Sequence, residues 1–183
     1  MVADLVQGLV LVSGPSRGGK SRWAEHLVSQ QHPVSYVATS DPRPHDSGWQ
    51  ERLRLHRERR PSDWTLIESG PDLANALSSI PRDHSVLVDA LGAFTAWHLE
   101  ATSVEWAQLE ADLIQSLQNR EPPVVLVIEE TGWGVVPATA IGGRFRDRQG
   151  RLAHQLEQIA SASWLVVQGR ALDLHALGVA VPH

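Results

Sequence analysis

The chain has 183 residues, 42% of them apolar, and this length suits one domain with a full-sized core. Its 16 Lys and Arg against 21 Asp and Glu give a formal net charge of −5, which provides no general attraction to nucleic acid. The absence of cysteine excludes disulfide bonds and thiolate metal sites, and no apolar run approaches the roughly 20 residues that span a bilayer. We therefore expect a single domain over residues 1–183, located in the cytoplasm, with no nucleic-acid partner and no membrane span.

Short apolar segments rich in β-branched residues alternate along the chain with segments of helical spacing. In chain order, strands are predicted over residues 9–12, 34–38, 66–67, 86–88, 124–128 and 164–167. Helices are predicted over residues 19–30, 48–60 and 71–79, in one longer stretch within 91–118, and over 141–162, with loops at 41–44, 80–83, 121–123 and 131–137. This alternation predicts an α/β fold whose central sheet is mostly parallel, with helices on both faces. Ligands of such folds bind where the carboxyl ends of the strands meet.

A glycine-rich turn joins the first predicted strand to the first predicted helix. Glycine lets the backbone N–H groups turn toward a phosphate and lets the ligand approach closely. In this spacing the lysine reaches the β- and γ-phosphates, and the serine hydroxyl ligates Mg²⁺. The positive N-terminal end of the helix further stabilises the negative charge of the phosphates. An ordinary strand-to-helix turn is the alternative, but the complete spacing and both flanks favour a phosphate-binding P-loop. Its members are Gly14, Pro15, Ser16, Arg17, Gly18, Gly19, Lys20 and Ser21.

The predicted helix over residues 48–60 carries a histidine among arginines and ends before Pro61. Helical spacing places Arg52, His56 and Arg60 on one face. Two cations beside an imidazole lower its pKa and keep it neutral and nucleophilic, and they also attract a polyphosphate. On this pattern alone, however, a solvated basic helix with an incidental histidine is the simpler interpretation.

A metal bound to phosphates needs a carboxylate from a nearby strand end. Asp89, directly after the predicted strand over residues 86–88, supplies one. The strand over residues 124–128 also runs into acids, at Glu129 and Glu130, so the pattern does not choose between the two strands. A strand-end acid can also do no more than cap the next helix.

Further motifs follow one another along nearly the whole chain. They are Tyr36-Val37-Ala38-Thr39-Ser40, Arg52-Leu53, His56-Arg57, Arg59-Arg60-Pro61, Trp64, Glu68, Val88-Asp89, Gly132-Trp133-Gly134-Val135-Val136-Pro137, Arg144-Phe145-Arg146-Asp147, Gly150, Gln155 and residues 164–167. A P-loop alone is shared by many unrelated families. In this ordered combination the sequence resembles the bifunctional adenosylcobinamide kinase and adenosylcobinamide-phosphate guanylyltransferase family of cobalamin biosynthesis.

The resemblance implies a RecA-like P-loop NTPase fold, a homotrimer, and two reactions. In one, His56 attacks the α-phosphate of GTP, releases pyrophosphate, and passes the GMP to adenosylcobinamide phosphate to give adenosylcobinamide-GDP. In the other, ATP or GTP phosphorylates the hydroxyl of adenosylcobinamide. The resemblance assigns catalysis to His56, Lys20 and Asp89, and Mg²⁺ binding to Ser21 and Asp89. Besides the P-loop, the nucleotide-binding residues that it implies are Thr39, Ser40, Asp41, Arg57, Glu58, Arg59, Arg60, Glu68 and Asp89.

Several positions depart from the usual family pattern. Glu129-Glu130-Thr131 stands where members commonly have Asn-Glu-Val, His154 replaces an asparagine, and residues 91–98 lack the usual Thr/Asn-rich character. These departures suggest one alternative, a guanylyltransferase without kinase activity. Two others stay open independently: a nucleotide-gated binding protein without chemistry and an unrelated small-molecule P-loop kinase. Trp49 and Trp133, each next to glycine, are candidates for contact with a large ring.

Overall fold

The computed structural model describes residues 7–118, 120 and 123–181, without the side chain of Arg52. Part of the predicted loop at 121–123 and both ends of the predicted domain therefore lie outside the described residues. So does the predicted orientation of Arg52 toward the face of His56. The described elements are β1 (Leu9–Gly14), α1 (Lys20–Val28), β2 (Val34–Ala38), α2 (Ser47–Arg59), β3 (Thr65–Glu68), α3 (Leu73–Ser79), β4 (Ser85–Asp89), α4 (Leu91–Trp97), α5 (Ser103–Gln118), β5 (Val124–Glu129), α6 (Ala140–Glu157), β6 (Ala162–Val167), β7 (Arg170–Asp173) and α7 (Leu174–Leu177).

The seven strands form one sheet in the order β3-β2-β4-β5-β1-β6-β7. All neighbours pair in parallel except β6 and β7, which are antiparallel. The inner strands are apolar on both faces because both faces are covered: Val12 and Val127 pack toward α1, while Leu11 and Leu126 pack toward α3, α4, α5 and α6. Burying each such side chain contributes about 1.5–3 kcal/mol. The predicted α/β architecture is therefore confirmed.

The predicted helical stretch within residues 91–118 is wrong as a single element, because the structure has two helices there. The Thr102 hydroxyl accepts from the Glu105 backbone N–H at 3.3 Å, and the Glu105 carboxylate accepts from the Thr102 N–H at 2.7 Å. This reciprocal capping box starts a new helix at Ser103. It was present in the sequence as T-S-V-E but was not used in the prediction.

The last predicted helix and strand also need correction. Helix α6 ends at Glu157, five residues before the predicted limit, because residues from Ala162 onward belong to β6. Strand β7 and helix α7 were not predicted. Gln168 and Gly169 have φ values of 51° and 75°, the backbone of a two-residue hairpin turn, and they return the chain as the antiparallel strand β7.

The strand register brings the carboxyl ends of four strands to one edge of the sheet. Ala38 at the end of β2 pairs with Asp89 at the end of β4, and Gly14 at the end of β1 pairs with Glu129 at the end of β5. The P-loop, the segment after β2 and both candidate acidic strand ends therefore meet at this edge. Within the described part of the chain, no helix is both long and apolar enough to cross a membrane.

Candidate active site

The P-loop closes tightly between β1 and α1. Gly14 has φ 145°, and a Cβ there would lie 2.2 Å from the Val166 carbonyl oxygen of β6, so both the backbone conformation and the packing require glycine. The Lys20 ammonium is buried and donates a hydrogen bond to the Pro15 carbonyl at 2.8 Å. Ser21 follows in the first turn of α1 and is half-buried. The segment thus presents a lysine held inside a loop of backbone N–H groups, which suits phosphate binding.

An open cavity of about 610 Å³ lies at the carboxyl edge of the sheet, between α2, α4 and the strand ends. A volume of this size suits a nucleotide or part of a larger substrate. Most of the implied nucleotide-binding residues outside the P-loop line it: Ser40, Asp41, Arg57, Arg60, Glu68 and Asp89, together with His56. The P-loop adjoins the cavity through Glu129, which lines the cavity and pairs with Gly14 in the sheet.

Three implied nucleotide-binding residues have their side chains engaged elsewhere. Thr39 is fully buried, and its hydroxyl donates to the Ala90 carbonyl at 2.7 Å and accepts from the Ala90 N–H at 3.0 Å, which ties the ends of β2 and β4 together. Glu58 pairs with Arg54 on the exposed side of α2. Arg59 pairs with a carboxylate of α1.

His56 faces the acidic end of β4. Its Nδ1 lies 3.6 Å from Asp89 Oδ2, and the two side chains are only 19% and 10% exposed. The buried Tyr36 hydroxyl donates a hydrogen bond to the same Asp89 oxygen at 3.0 Å. Burial, followed by the adjacent Asp89 charge, raises the pKa of Tyr36, so the phenol stays a proton donor to the carboxylate. Asp89 thus connects the histidine of α2 to the core of the sheet.

Two arginines at the end of α2 surround this histidine. Arg59 places Nη2 3.4 Å from His56 Nδ1, and its guanidinium forms an ion pair with Glu25 of α1. Arg60 lies over the Tyr36 ring at 4.8 Å, a cation–π contact, and also lines the cavity. Positive charge is therefore concentrated where a polyphosphate would meet the histidine.

Glu129 lies between the P-loop strand and the cavity. Its Oε2 accepts a hydrogen bond from the Gly92 N–H at 2.8 Å, and a Cβ at Gly92 would lie 2.6 Å from that oxygen. Burial raises the pKa of Glu129, and the nearby Asp89 charge adds to the increase. The two acidic strands that the sequence left as alternatives therefore end within electrostatic range of each other.

The groups suited to a metal are oxygen donors. Among the described residues, no group of three or more His, Asp or Glu side chains could hold a metal ion. Mg²⁺ commonly takes one or two protein oxygen ligands and completes its coordination with phosphates and water. The Ser21 hydroxyl, in the first turn of α1, and the Asp89 carboxylate, at the end of β4, are oxygen donors of the kind that it prefers.

One wall of the cavity is apolar and was only partly predicted. Trp49 lines the cavity, whereas Trp133, in the loop after β5, is 60% exposed and is not among its lining residues. Leu66 and Trp97 also line the cavity and are 41% and 42% exposed. Neither Leu66 nor Trp97 has a local signal in the sequence, because an apolar side chain that faces a cavity has the same sequence pattern as one that faces the core. Tyr36 fell within a recognised motif but carried no predicted role.

Two solved structures share the fold of this chain. The chain superposes on a protein from Pyrococcus horikoshii OT3 with a TM-score of 0.54 and 7% identity, covering 92% of this chain and 85% of that one. It superposes on an ATPase of a bacterial type III secretion system with a TM-score of 0.60 and 8% identity, covering 94% and 59%. These similarities concern the fold alone, and they agree with the predicted α/β fold built on a mostly parallel sheet.

Sequence comparison identifies the family. Residues 10–174 match the family model of cobinamide kinase / cobinamide phosphate guanyltransferase. The chain is 31% identical over 176 residues to the bifunctional adenosylcobalamin biosynthesis protein CobU of Escherichia coli, covering 88% of this chain and 96% of the relative. It is 31% identical over 167 residues to the corresponding CobP of Pseudomonas aeruginosa, covering 90% and 95%. The chain therefore belongs to the cobinamide kinase / cobinamide phosphate guanyltransferase family.

Proposed function

We propose that the chain phosphorylates adenosylcobinamide with ATP or GTP and then transfers GMP from GTP to adenosylcobinamide phosphate, with His56 as the carrier of the GMP. The observation that supports this most is the position of His56. It lies on the cavity side of α2, against Asp89 at the edge of the sheet where the P-loop begins. An incidental histidine on a solvated helix would be largely exposed, whereas the His56 side chain is only 19% exposed.

In the guanylyl half-reaction, one bond forms and one breaks at phosphorus in each step. In the reacting state, the Asp89 carboxylate, 3.6 Å from Nδ1, would favour a proton on Nδ1, and the imidazole lone pair would then be on Nε2. Nε2 attacks the α-phosphorus of GTP, the bond to the oxygen that bridges the α- and β-phosphates breaks, and pyrophosphate leaves with that electron pair. A phosphate oxygen of adenosylcobinamide phosphate then attacks the same phosphorus, and the bond to Nε2 breaks. Splitting the transfer in this way replaces one difficult substitution with two easier ones.

In the kinase half-reaction, the hydroxyl oxygen of adenosylcobinamide attacks the γ-phosphorus, the nucleoside diphosphate leaves, and the hydroxyl proton passes to the medium. Gly14 to Ser21 would cradle the phosphates with Lys20 against the β- and γ-groups. Ser40, Asp41, Arg57, Arg60 and Glu68 would hold the rest of the nucleotide in the cavity. Bound at Ser21 and Asp89, Mg²⁺ would neutralise charge on the phosphates.

The decisive experiment is incubation with Mg²⁺ and GTP labelled at the α-phosphate, followed by mass spectrometry of the intact protein and its peptides. We expect an acid-labile GMP adduct on the peptide that contains His56 and none in His56→Ala. His32→Ala is the matched control, because His32 is exposed and faces Asp63 instead of the cavity. We expect it to keep the adduct.

The same labelled protein, assayed also for phosphorylation of adenosylcobinamide, distinguishes the proposed function from its alternatives. GTP binding without any adduct would contradict guanylyl transfer and leave a binding protein or an unrelated kinase. An adduct without transfer of γ-phosphate to adenosylcobinamide would indicate a guanylyltransferase that lacks the kinase step. Formation of both products is the outcome that we expect.

We also propose that the protein assembles as a homotrimer, as its resemblance to the family implies. The loop after β5 supports an interface, since Trp133, Val135 and Val136 are 60%, 96% and 72% exposed, an unusual cluster for a surface loop. Light scattering after size exclusion should give about three times the chain mass of 20.1 kDa. A single-chain mass at micromolar concentration would contradict this assembly.

A further inference from the structure

An ion pair joins the P-loop helix to the helix that carries His56. Arg59 Nε donates to Glu25 Oε2 at 3.2 Å and Arg59 Nη2 donates to Glu25 Oε1 at 2.8 Å, the paired geometry of a guanidinium and a carboxylate. The side chains are 30% and 15% exposed, so the pair is partly shielded from water. Pairing with Glu25 raises the pKa of Arg59 above its ordinary value. The contact links residues that are 34 positions apart in the chain.

This contact extends directly to the histidine. The Arg59 Nη2 that binds Glu25 is also 3.4 Å from His56 Nδ1. On its other side the same Nδ1 faces Asp89 Oδ2 at 3.6 Å. The imidazole therefore lies between the Arg59 guanidinium, which is paired with Glu25 of α1, and the Asp89 carboxylate of β4.

Helix α2 is attached to the rest of the protein mainly by polar contacts; near its start, Trp49 and Gln50 donate hydrogen bonds to carbonyls of the loop over residues 41–43. Among its side chains that the structure describes, none is fully buried, so it contributes little to the apolar core. Arg54 forms ion pairs with Glu51 and Glu58, but all three residues lie within α2 and on its exposed side. Polar contacts such as Glu25 with Arg59 must therefore position the helix.

We propose that Glu25 is a positioning residue for the nucleophile: through Arg59 it holds α2 against α1, so that His56 keeps its place between Asp89 and the bound nucleotide. This inference rests on the proposed function of His56, which it deepens. Glu25 itself touches no reacting atom in this scheme. Its loss should slow the chemical step more than it weakens nucleotide binding, because the P-loop and the strand ends would still hold the nucleotide.

The test measures Glu25→Gln, which keeps the shape of the side chain and removes its charge. At saturating GTP, we expect the single-turnover rate constant for GMP attachment to His56 to fall about 10- to 100-fold, because small misplacement of a nucleophile is costly. The dissociation constant for GTP should change less than about threefold, since the P-loop is untouched. An equal loss of GTP affinity and rate would overturn the proposal by making Glu25 part of the nucleotide site.

The matched control is Glu51→Gln, because Glu51 also accepts two hydrogen bonds from one arginine, Arg54, but within the same helix. We expect it to leave the rate within about twofold of the original protein. A double-mutant cycle then tests the route of the effect: in an Arg59→Ala background, Glu25→Gln should cost nothing further. Additive losses would show that Glu25 acts independently of Arg59 and would overturn the proposal.

A second measurement, hydrogen exchange, does not require the protein to form the GMP adduct. Hydrogen exchange of the amides over residues 52–59 should be faster in Glu25→Gln than in Glu51→Gln, because the helix loses its attachment. Unchanged exchange would overturn the positioning role. If the unmodified protein forms no GMP adduct at all, the proposed function fails, and the exchange comparison still decides whether Glu25 holds α2.

Discussion

Glu129 lines the cavity, where partial loss of contact with water and the nearby charge of Asp89 destabilise its ionised form. The residue is partly buried, and one of its carboxylate oxygens accepts a hydrogen bond from the Gly92 N–H. Burial raises the pKa of Glu129 in the folded protein above its ordinary value of 4.5. The folded state therefore holds this proton more tightly than the unfolded chain does, and stability is lost as pH rises from about 4.5 through the raised value.

Glu129→Gln should remove this cost and keep the hydrogen bond, because the amide oxygen of Gln also accepts from Gly92. We expect a thermal midpoint higher than that of the original protein at pH 8, by about 2 °C or more, since 1 kcal/mol corresponds to about 2–4 °C in a protein of this size. The difference should shrink as pH approaches 4. Thermal unfolding between pH 4 and 8 measures it.

Glu130→Gln controls for the change in net charge, since it alters the neighbouring residue by the same single charge. An equal gain in both variants would show that net charge, and not the burial of Glu129, sets the effect. A gain for Glu129→Gln that stays the same from pH 4 to pH 8 would contradict the titration argument.

At the residue scale, local spacing predicted the phosphate turn over Gly14 to Ser21, whose lysine the structure holds against the Pro15 carbonyl. The roles of His56 and Asp89 came from the resemblance to the family, and these residues, 33 positions apart, meet at the cavity edge as the proposed reaction requires. The pairing of Glu25 with Arg59 had no such signal. Charged residues are common on helix surfaces, and only the packing of α2 against α1 selects which of them meet.

The stability of helix α2 depends on its caps and its ion pairs. Its residues are mostly polar or charged, and such a helix is stabilised by caps and i,i+4 pairs more than by an apolar face. Asp46 caps the first turn, where its Oδ1 accepts from the Trp49 N–H at 2.9 Å. The cap and the Glu25–Arg59 pair therefore secure opposite ends of the same functional helix.

Asp46→Ala should weaken α2 by about 1 kcal/mol, the usual cost of losing an N-cap. We expect faster hydrogen exchange over residues 48–52 and slower formation of the GMP adduct, because a frayed helix holds His56 less firmly. Asp46→Asn is the matched variant, since Asn caps a helix about as well as Asp. If Asn and Ala gave the same loss, the charge of Asp46 and not its cap would be responsible.

The errors in the predicted elements arise from helix caps and tight turns, which act over only a few residues. Hydrophobic spacing runs through residues 91–118 without interruption, yet the Thr102 and Glu105 capping box starts a separate helix. Strand β7 has only four residues and is fixed by the turn at Gln168 and Gly169. Periodicity detects long elements well but does not register caps and tight turns.

For the whole molecule, the alternation of strands and helices predicted the layers, but it did not predict the strand order. In the sheet, β5 lies between the P-loop strand β1 and the Asp89 strand β4. Parallel neighbours are set by contacts between distant segments, which a single sequence does not display. That order decides which acids stand beside the P-loop, and it places both Asp89 and Glu129 at the cavity.

Nucleotide binding should be visible as a change in the stability of the whole molecule, because a ligand that binds only the folded state stabilises it. At a free concentration of 100 times its dissociation constant, Mg²⁺-GTP should contribute about 2.7 kcal/mol, or roughly 5–11 °C in the thermal midpoint. Lys20→Ala removes the ammonium now held at the Pro15 carbonyl, and we expect it to abolish this shift. Thermal unfolding with Mg²⁺-GTP and with Mg²⁺ alone measures the difference, with Arg54→Ala, on the exposed side of α2, as the variant that keeps the shift. A full shift in Lys20→Ala would mean that the cavity under α2, and not the P-loop, holds the nucleotide.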